Sequence, residues 1–204
     1  KFVNAGEVSL RSGSWGQFRP TFDVQTVLDK EQAIGFRING AFERADNYRV
    51  NVSKDRIYVN PSFAWKPNKK TSVTVEMDYM HDTRTPDRGT VNLAADSVNA
   101  LYKMPHNNFL GFETDRALTN NLTYALRFDR SLSDLFSVRV AYFGSTLDTD
   151  NTGASTSTLK NVSKTGLYNL RSRSLTRSTR ADNNSALQID LIGRDVFTGK
   201  TKHT

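Results

Sequence analysis

Hydrophobic and polar residues alternate most cleanly between Asp55 and Asp82. Ile57, Val59, Pro61, Phe63 and Trp65 fall on one face, with Tyr58, Asn60, Ser62 and Ala64 on the other. Pro67-Asn68-Lys69-Lys70 reverses the chain, and Val73, Val75, Met77 and Tyr79 then alternate with Ser72, Thr74, Glu76 and Asp78. A period of two on both sides of a short polar turn predicts an antiparallel hairpin with one apolar face. From Ile57 to Trp65 the strand rises about 27 Å, or roughly 20 Å of height at a tilt near 45°, close to a lipid-facing band. The hairpin alone leaves two architectures open. In a soluble sandwich its apolar face meets a second sheet; in an outer-membrane barrel it meets lipid.

The same alternation recurs along the chain. Val8 and Leu10 mark a first strand, Phe22 and Val24 a weaker second, and Ile34, Phe36, Ile38 and Phe42 a clear third. Past the hairpin, Leu122 to Phe128 and Phe136 to Tyr142 predict two more, and Leu187, Ile189 and Leu191 a last one that extends back toward Arg171. The pattern is lost from Asp82 to about Thr119, and again in a polar stretch from Ser145 to about Thr165 that reads as mobile. Connections alternate in length. Four-residue turns begin at Asp29, Pro67 and Ser131, and longer loops at Arg44, Thr83 and Ser145. Short turns on one rim and long loops on the other predict an all-β, antiparallel, up-and-down transmembrane barrel, of which this chain is a fragment of about eight strands. A Greek-key sandwich mixes the two at both ends.

Composition sets the outer limits. The 204 residues start at Lys1 with no methionine or apolar targeting segment and stop without a closing element, which reads as a piece cut at both ends. No run of 18 apolar residues exists, so a helical span is excluded while a strand-built one is not. Without cysteine there is neither a disulfide framework nor a thiolate metal site. The three histidines, His81, His106 and His203, are too scattered for a metal cluster. A net charge of +7 favours anionic partners and equally describes a solvated basic surface. Glu76 and Asp78 share one strand face instead of opposing each other across a cleft, and no nucleophile elbow or phosphate loop occurs, so the chain reads as no enzyme.

Several segments carry a resemblance in collinear order. They are Gly35-Phe36-Arg37-Ile38-Asn39-Gly40, Asp46-Asn47-Tyr48-Arg49, Tyr58 to Pro67, Thr85-Pro86-Asp87-Arg88-Gly89, Leu101 to Pro105 with Phe109-Leu110-Gly111, and Gln188 to Leu191 with Thr198 to His203. Together they resemble the N-terminal part of the barrel of TonB-dependent outer-membrane siderophore receptors, over nearly the whole chain. The resemblance implies a barrel of 22 strands with a plugged lumen, of which residues 1–204 form a part lacking the plug domain and the C-terminal strands. It also implies uptake of ferric siderophores, with TonB engaged through the missing plug region. The expected setting is the bacterial outer membrane with its lipid and lipopolysaccharide, as a monomer, without nucleic acid or a cofactor; iron would enter only inside its chelate.

A ferric chelate needs aromatic faces for its organic shell and donors for its oxygens. The first long loop offers Tyr102, His106, Phe109 and Phe112, with Arg84 and Arg88 nearby; Phe109 and Phe112 equally suit packing of the loop's own core. Arg171, Arg173, Arg177 and Arg180 form the sharpest basic cluster. If the last strand is unbroken, the first three share the outward parity of Leu187 and are placed to hold lipopolysaccharide phosphates; a bulge near Asp182-Asn183-Asn184 would turn them to the lumen. A passive porin or structural barrel and a soluble carbohydrate-binding sandwich are the rival readings.

Overall fold

The computed structural model describes residues 2–87, 89, 105–156, 173–194, 196–199 and 201–203. Eight strands follow one another as an antiparallel meander: β1 (Ala5–Ser12), β2 (Phe18–Val27), β3 (Ile34–Asp46), β4 (Ser53–Asn68), β5 (Thr71–Arg84), β6 (Arg116–Ser131), β7 (Phe136–Thr156) and β8 (Arg173–Gly193). Each pairs with its sequence neighbours, in the order β1 to β8 without a crossover. A separate two-stranded hairpin, β9 (Val196–Thr198) and β10 (Thr201–His203), follows.

The register keeps one parity across the sheet. Phe36, Phe63, Val75, Leu126, Tyr142 and Leu187 form one cross-strand row from β3 to β8. The adjacent row, on the other face, is Arg37, Ser62, Glu76, Ala125, Phe143 and Ala186. Because side chains alternate across a strand, the first row belongs to a continuous apolar face and the second to a mostly polar one. Nothing among the described residues covers the apolar face: Leu187, Ile189 and Leu191 are 65%, 67% and 68% exposed. The only buried hydrophobic residues described are Ala45, Val52 and Ala154, none of them on that band. A sandwich would bury such a face as its core, whereas in a lipid-spanning wall lipid covers it.

Three local readings change. The polar stretch from Ser145 is not a loop at its start, because β7 runs on to Thr156; the rest of that stretch, to Thr165, lies outside the described residues. Above the apolar band both faces of the ladder are polar, so alternation disappears while backbone pairing continues. Pro67 lies inside β4, next to an irregularity between Trp65 and Asn68, and the turn proper is Lys69-Lys70. Strand β8 is unbroken from Arg173, with Asn183 and Asn184 in register, so Arg173 and Arg177 keep the outward parity.

Pro61 sits in a paired strand although it has no N–H to donate. Opposite it the ladder bonds of β4 to β5 skip Asn60 and Pro61. The Asn60 side-chain amide donates to the Met77 carbonyl at 2.9 Å, supplying the donor that proline lacks. Glycine does the reverse service for aromatics on the apolar face. The Tyr124 ring lies over its cross-strand partner Gly144, where an added Cβ would come within 2.3 Å of the ring.

Candidate functional site

The inward face of the sheet carries a hydrogen-bonded polar wall. In its middle Arg37 Nε donates to Asp23 at 2.8 Å, and Asn39 donates to Asn60 at 3.0 Å. Asp78 is the hub, accepting from Tyr58 at 2.6 Å, Asn60 at 2.7 Å and Thr123 at 3.3 Å. Alternation places these residues on one face, and their short polar side chains tie neighbouring strands together there.

Toward the long-loop rim the wall becomes charged. Lys54 pairs with Glu43 at 2.7 Å, and Asp82 meets Arg56 at 2.8 Å and Arg84 at 3.7 Å. Arg19 shares the inward parity of these residues on β2. Both carboxylates are buried, Asp82 to 3% exposure, while Lys54, Arg56 and Arg84 remain open to solvent. The cations outnumber the acids, leaving a basic surface whose acids sit behind it and orient the bases without capping them from the front.

The return limb of the first long loop, residues 105–115, is fastened at several points. Arg49, in the β3–β4 loop on the long-loop rim, is buried. It donates to the Asn108 carbonyl at 3.2 Å and lies 2.9 Å from Asp87, with its guanidinium 5.1 Å from the centre of the Tyr48 ring. Val50 N–H donates to the Asn107 carbonyl at 3.0 Å. Farther along, Arg173 donates to the Gly111 carbonyl at 2.6 Å and stands 4.5 Å over the Phe112 ring. The buried Asp115 accepts from Ala154 N–H at 3.0 Å. His106 stacks on Tyr48 at 6.2 Å, and Trp15 meets Tyr48 edge-on at 6.4 Å.

The residues expected from sequence therefore do not form one cluster. Arg84 is on the inner wall, His106 belongs to the aromatic group at the β3–β4 loop, and Phe109 and Phe112 are half-buried at the loop's base, Phe112 under Arg173. Tyr102, Arg88 and Arg171 lie outside the described residues. Arg177 faces outward and binds Asp150 through two bonds of 3.0 and 2.8 Å. That contact, above the apolar band, holds the Asp150 carboxyl below its usual range. Sequence reasoning missed Arg49, Arg56, Tyr48 and Trp15 as parts of the rim; the one signal was two long amphipathic side chains, Tyr48 and Arg49, inside a polar loop. Among the described residues no three metal-capable side chains come together.

No family model matches the chain. It is 31% identical over 193 residues to the metal-pseudopaline receptor CntO of Pseudomonas aeruginosa, a match covering 94% of this chain and 26% of that one. The ferrichrome outer membrane transporter/phage receptor of Escherichia coli is 24% identical over 139 residues, 65% of this chain and 18% of its own. In structure, the ferripyoverdine receptor of the outer membrane of Pseudomonas aeruginosa superposes with a TM-score of 0.81 at 16% identity, over 97% of this chain and 26% of that one. The chain spans about a quarter of the length of the first curated relative it matches, and the relatives are receptors and transporters. The uncovered apolar band, the up-and-down strand path and these likenesses make the chain a homologue of part of the barrel of TonB-dependent siderophore receptors, set in the outer membrane.

Proposed function

We propose that the complete protein is a receptor that captures a metal chelate at the cell surface and imports it with energy from the TonB complex, and that residues 1–204 supply the first third of its barrel. Ferric siderophores are the expected ligand class. The observation that carries this reading is the basic inner wall at the long-loop rim, where Lys54, Arg56 and Arg84 stay exposed with their acids buried behind them. Anionic oxygens of a chelate find charge-assisted donors there, and a surface with an excess of positive charge raises the local concentration of an anionic ligand.

In this reading Arg84 and the neighbouring Arg56 bind chelate oxygens. His106 contacts the organic shell from the rim, with Tyr102, Phe109 and Phe112 as further loop contacts. The metal arrives fully ligated, so the protein supplies no metal ligand, no cofactor and no catalytic group. Outside the barrel, Arg171, Arg173 and Arg177 contact lipopolysaccharide phosphate; the outward parity of β8 supports this, with Asp150 orienting Arg177. Retention of lipopolysaccharide unchanged after all three become serine, read by mass spectrometry, sinks that assignment.

The test of function is uptake of labelled ferric chelates by cells expressing the full-length receptor, with and without TonB. Energy-dependent uptake that falls about tenfold or more in Arg56→Gln/Arg84→Gln supports the reading, since each lost charged bond is worth about 1.5–3 kcal/mol. Energy-independent leakage of many small solutes indicates a passive pore instead.

A further inference from the structure

The outward side of the short-turn rim carries charge that chelate capture leaves unused. On that face the cross-strand row Thr71, Arg130, Val138 and Leu191 runs from β5 to β8. The next row toward the middle of the apolar band is Trp65, Val73, Phe128, Val140 and Ile189. Arg130 therefore stands at the border of the band, exposed and level with Val138 and Leu191. A guanidinium does not rest among acyl chains; its stem lies along apolar surface while its head reaches the water interface. Two lysines meet it there. Lys69 and Lys70 form the exposed β4–β5 turn, fixed by the Lys70 N–H donating to Asn68 Oδ1 at 2.9 Å. Ser131, the residue after Arg130, donates its N–H to the Lys70 carbonyl at 2.8 Å, so the turn is held against the end of β6.

Among the described residues, Lys69, Lys70 and Arg130 have no carboxylate partner. The next turn adds one acid, Asp134, and three exposed apolar side chains, Leu132, Leu135 and Phe136. Trp65, also exposed on the outward face, supplies the kind of amphipathic ring that sits at headgroup level. Three cations against one acid favour an anion, and the apolar surface around Arg130 requires that this anion carry acyl chains. A soluble acidic peptide or a free phosphate ester would have to displace lipid from Val138 and Leu191 to reach the guanidinium. Short turns face the periplasm, so the leaflet here is the phospholipid one, across the membrane from the lipopolysaccharide contact of Arg173 and Arg177.

We propose that Arg130, Lys69 and Lys70 form a headgroup site for an anionic glycerophospholipid of the periplasmic leaflet. Its phosphodiester is held by Arg130 and the turn lysines, the sort of charge-assisted contact that arginine makes with two oxygens at once, and its acyl chains lie along Phe128, Val138 and Leu191. The inference rests on the outer-membrane placement, with short turns toward the periplasm, and not on the imported chelate: loss of chelate uptake and loss of lipid binding are separate results. Its test is native mass spectrometry of the purified full-length receptor in detergent, with added phosphatidylglycerol and, as a zwitterionic control, phosphatidylcholine. The expected result is retention of phosphatidylglycerol about fivefold or more above phosphatidylcholine, not displaced by soluble glycerol phosphate. Arg130→Gln lowers that retention about fivefold, and Lys69→Gln/Lys70→Gln about tenfold, both substitutions being at exposed positions. Arg173→Ser/Arg177→Ser, at the other rim, leaves it at the wild-type level. Equal retention of the two lipids by the wild type overturns the proposal, as does retention in either short-turn variant equal to that of the wild type. Displacement by glycerol phosphate also overturns it, because the site would then belong to a free phosphate ester, and so does a loss confined to Arg173→Ser/Arg177→Ser, which would put the lipid at the long-loop rim.

Discussion

At the scale of single residues, the tolerance of this sheet for awkward side chains comes from specific neighbours. Asn60 makes Pro61 acceptable by donating to the Met77 carbonyl and, through the same nitrogen, to Asp78. Asn60→Leu removes both bonds and is expected to cost about 1–3 kcal/mol in urea unfolding of the lipid-embedded barrel; a midpoint unchanged from wild type refutes the role. Gly144 is needed for the opposite reason, as the floor beneath Tyr124. Gly144→Ala forces that ring out of its position, an overpacking cost of about 1–3 kcal/mol, and Tyr124→Ala in the same background should recover part of it. Asp150 carries a pH signature. Its carboxyl is held low by the Arg177 hydrogen bond, so its contribution is present above the ordinary aspartate value of about 3.9 and is lost as pH falls through the lower folded value. Protease protection of the upper β7–β8 ladder is expected to stay flat from about pH 8 to 5 and to fall only below about pH 4, whereas Asp150→Asn loses protection at every pH.

At the scale of elements, most strand assignments were legible because the lipid-facing side forces alternation. Ile57 to Trp65 and Leu122 to Phe128 were readable residue by residue. The same logic explains the failure at Ser145 to Thr156. Outside the apolar band neither face selects hydrophobic residues, so a paired strand there has the composition of a loop. The loop limb 105–115 was illegible for another reason: its fixation depends on arginines distant in sequence, Arg49 and Arg173. Arg49→Ala is expected to speed proteolytic cleavage within residues 105–108 severalfold while leaving the strands intact, since it removes a buried guanidinium and its carbonyl contact. Arg49→Lys should restore little of the protection, because an ammonium replaces neither the guanidinium 5.1 Å from the Tyr48 ring centre nor the fork of donors.

At the scale of the whole molecule, the sheet is a wall with two unlike faces and two unlike rims. Its apolar face has no protein partner among the described residues, and its polar face is bonded within itself through Asp78. The rims differ in how charge is held. At the long loops buried acids back the exposed bases, as with Asp82 behind Arg56 and Arg84, while at the short turns Lys66, Lys69, Lys70, Arg130 and Arg194 lack a carboxylate partner among the described residues. Salt therefore acts unequally on the two ends: charges paired with buried acids are screened less than unpaired, exposed ones. Ligand binding at the long-loop rim is expected to persist in part between about 0.05 and 0.5 M salt, measured by titrating one receptor preparation across that range.

The strand order, the inward and outward parity and the two-rim arrangement were determined by the sequence itself, because a period of two leaves each strand only two orientations and turn length separates the rims. Tertiary structure alone decided that no second layer among the described residues covers the apolar face, that β7 and β8 continue as a ladder beyond it, and that Arg49 and Arg173 reach across to hold the loop. Those outcomes depend on contacts between residues far apart in the chain, 62 positions in the case of Gly111 and Arg173, and no local pattern in the chain records such a distance.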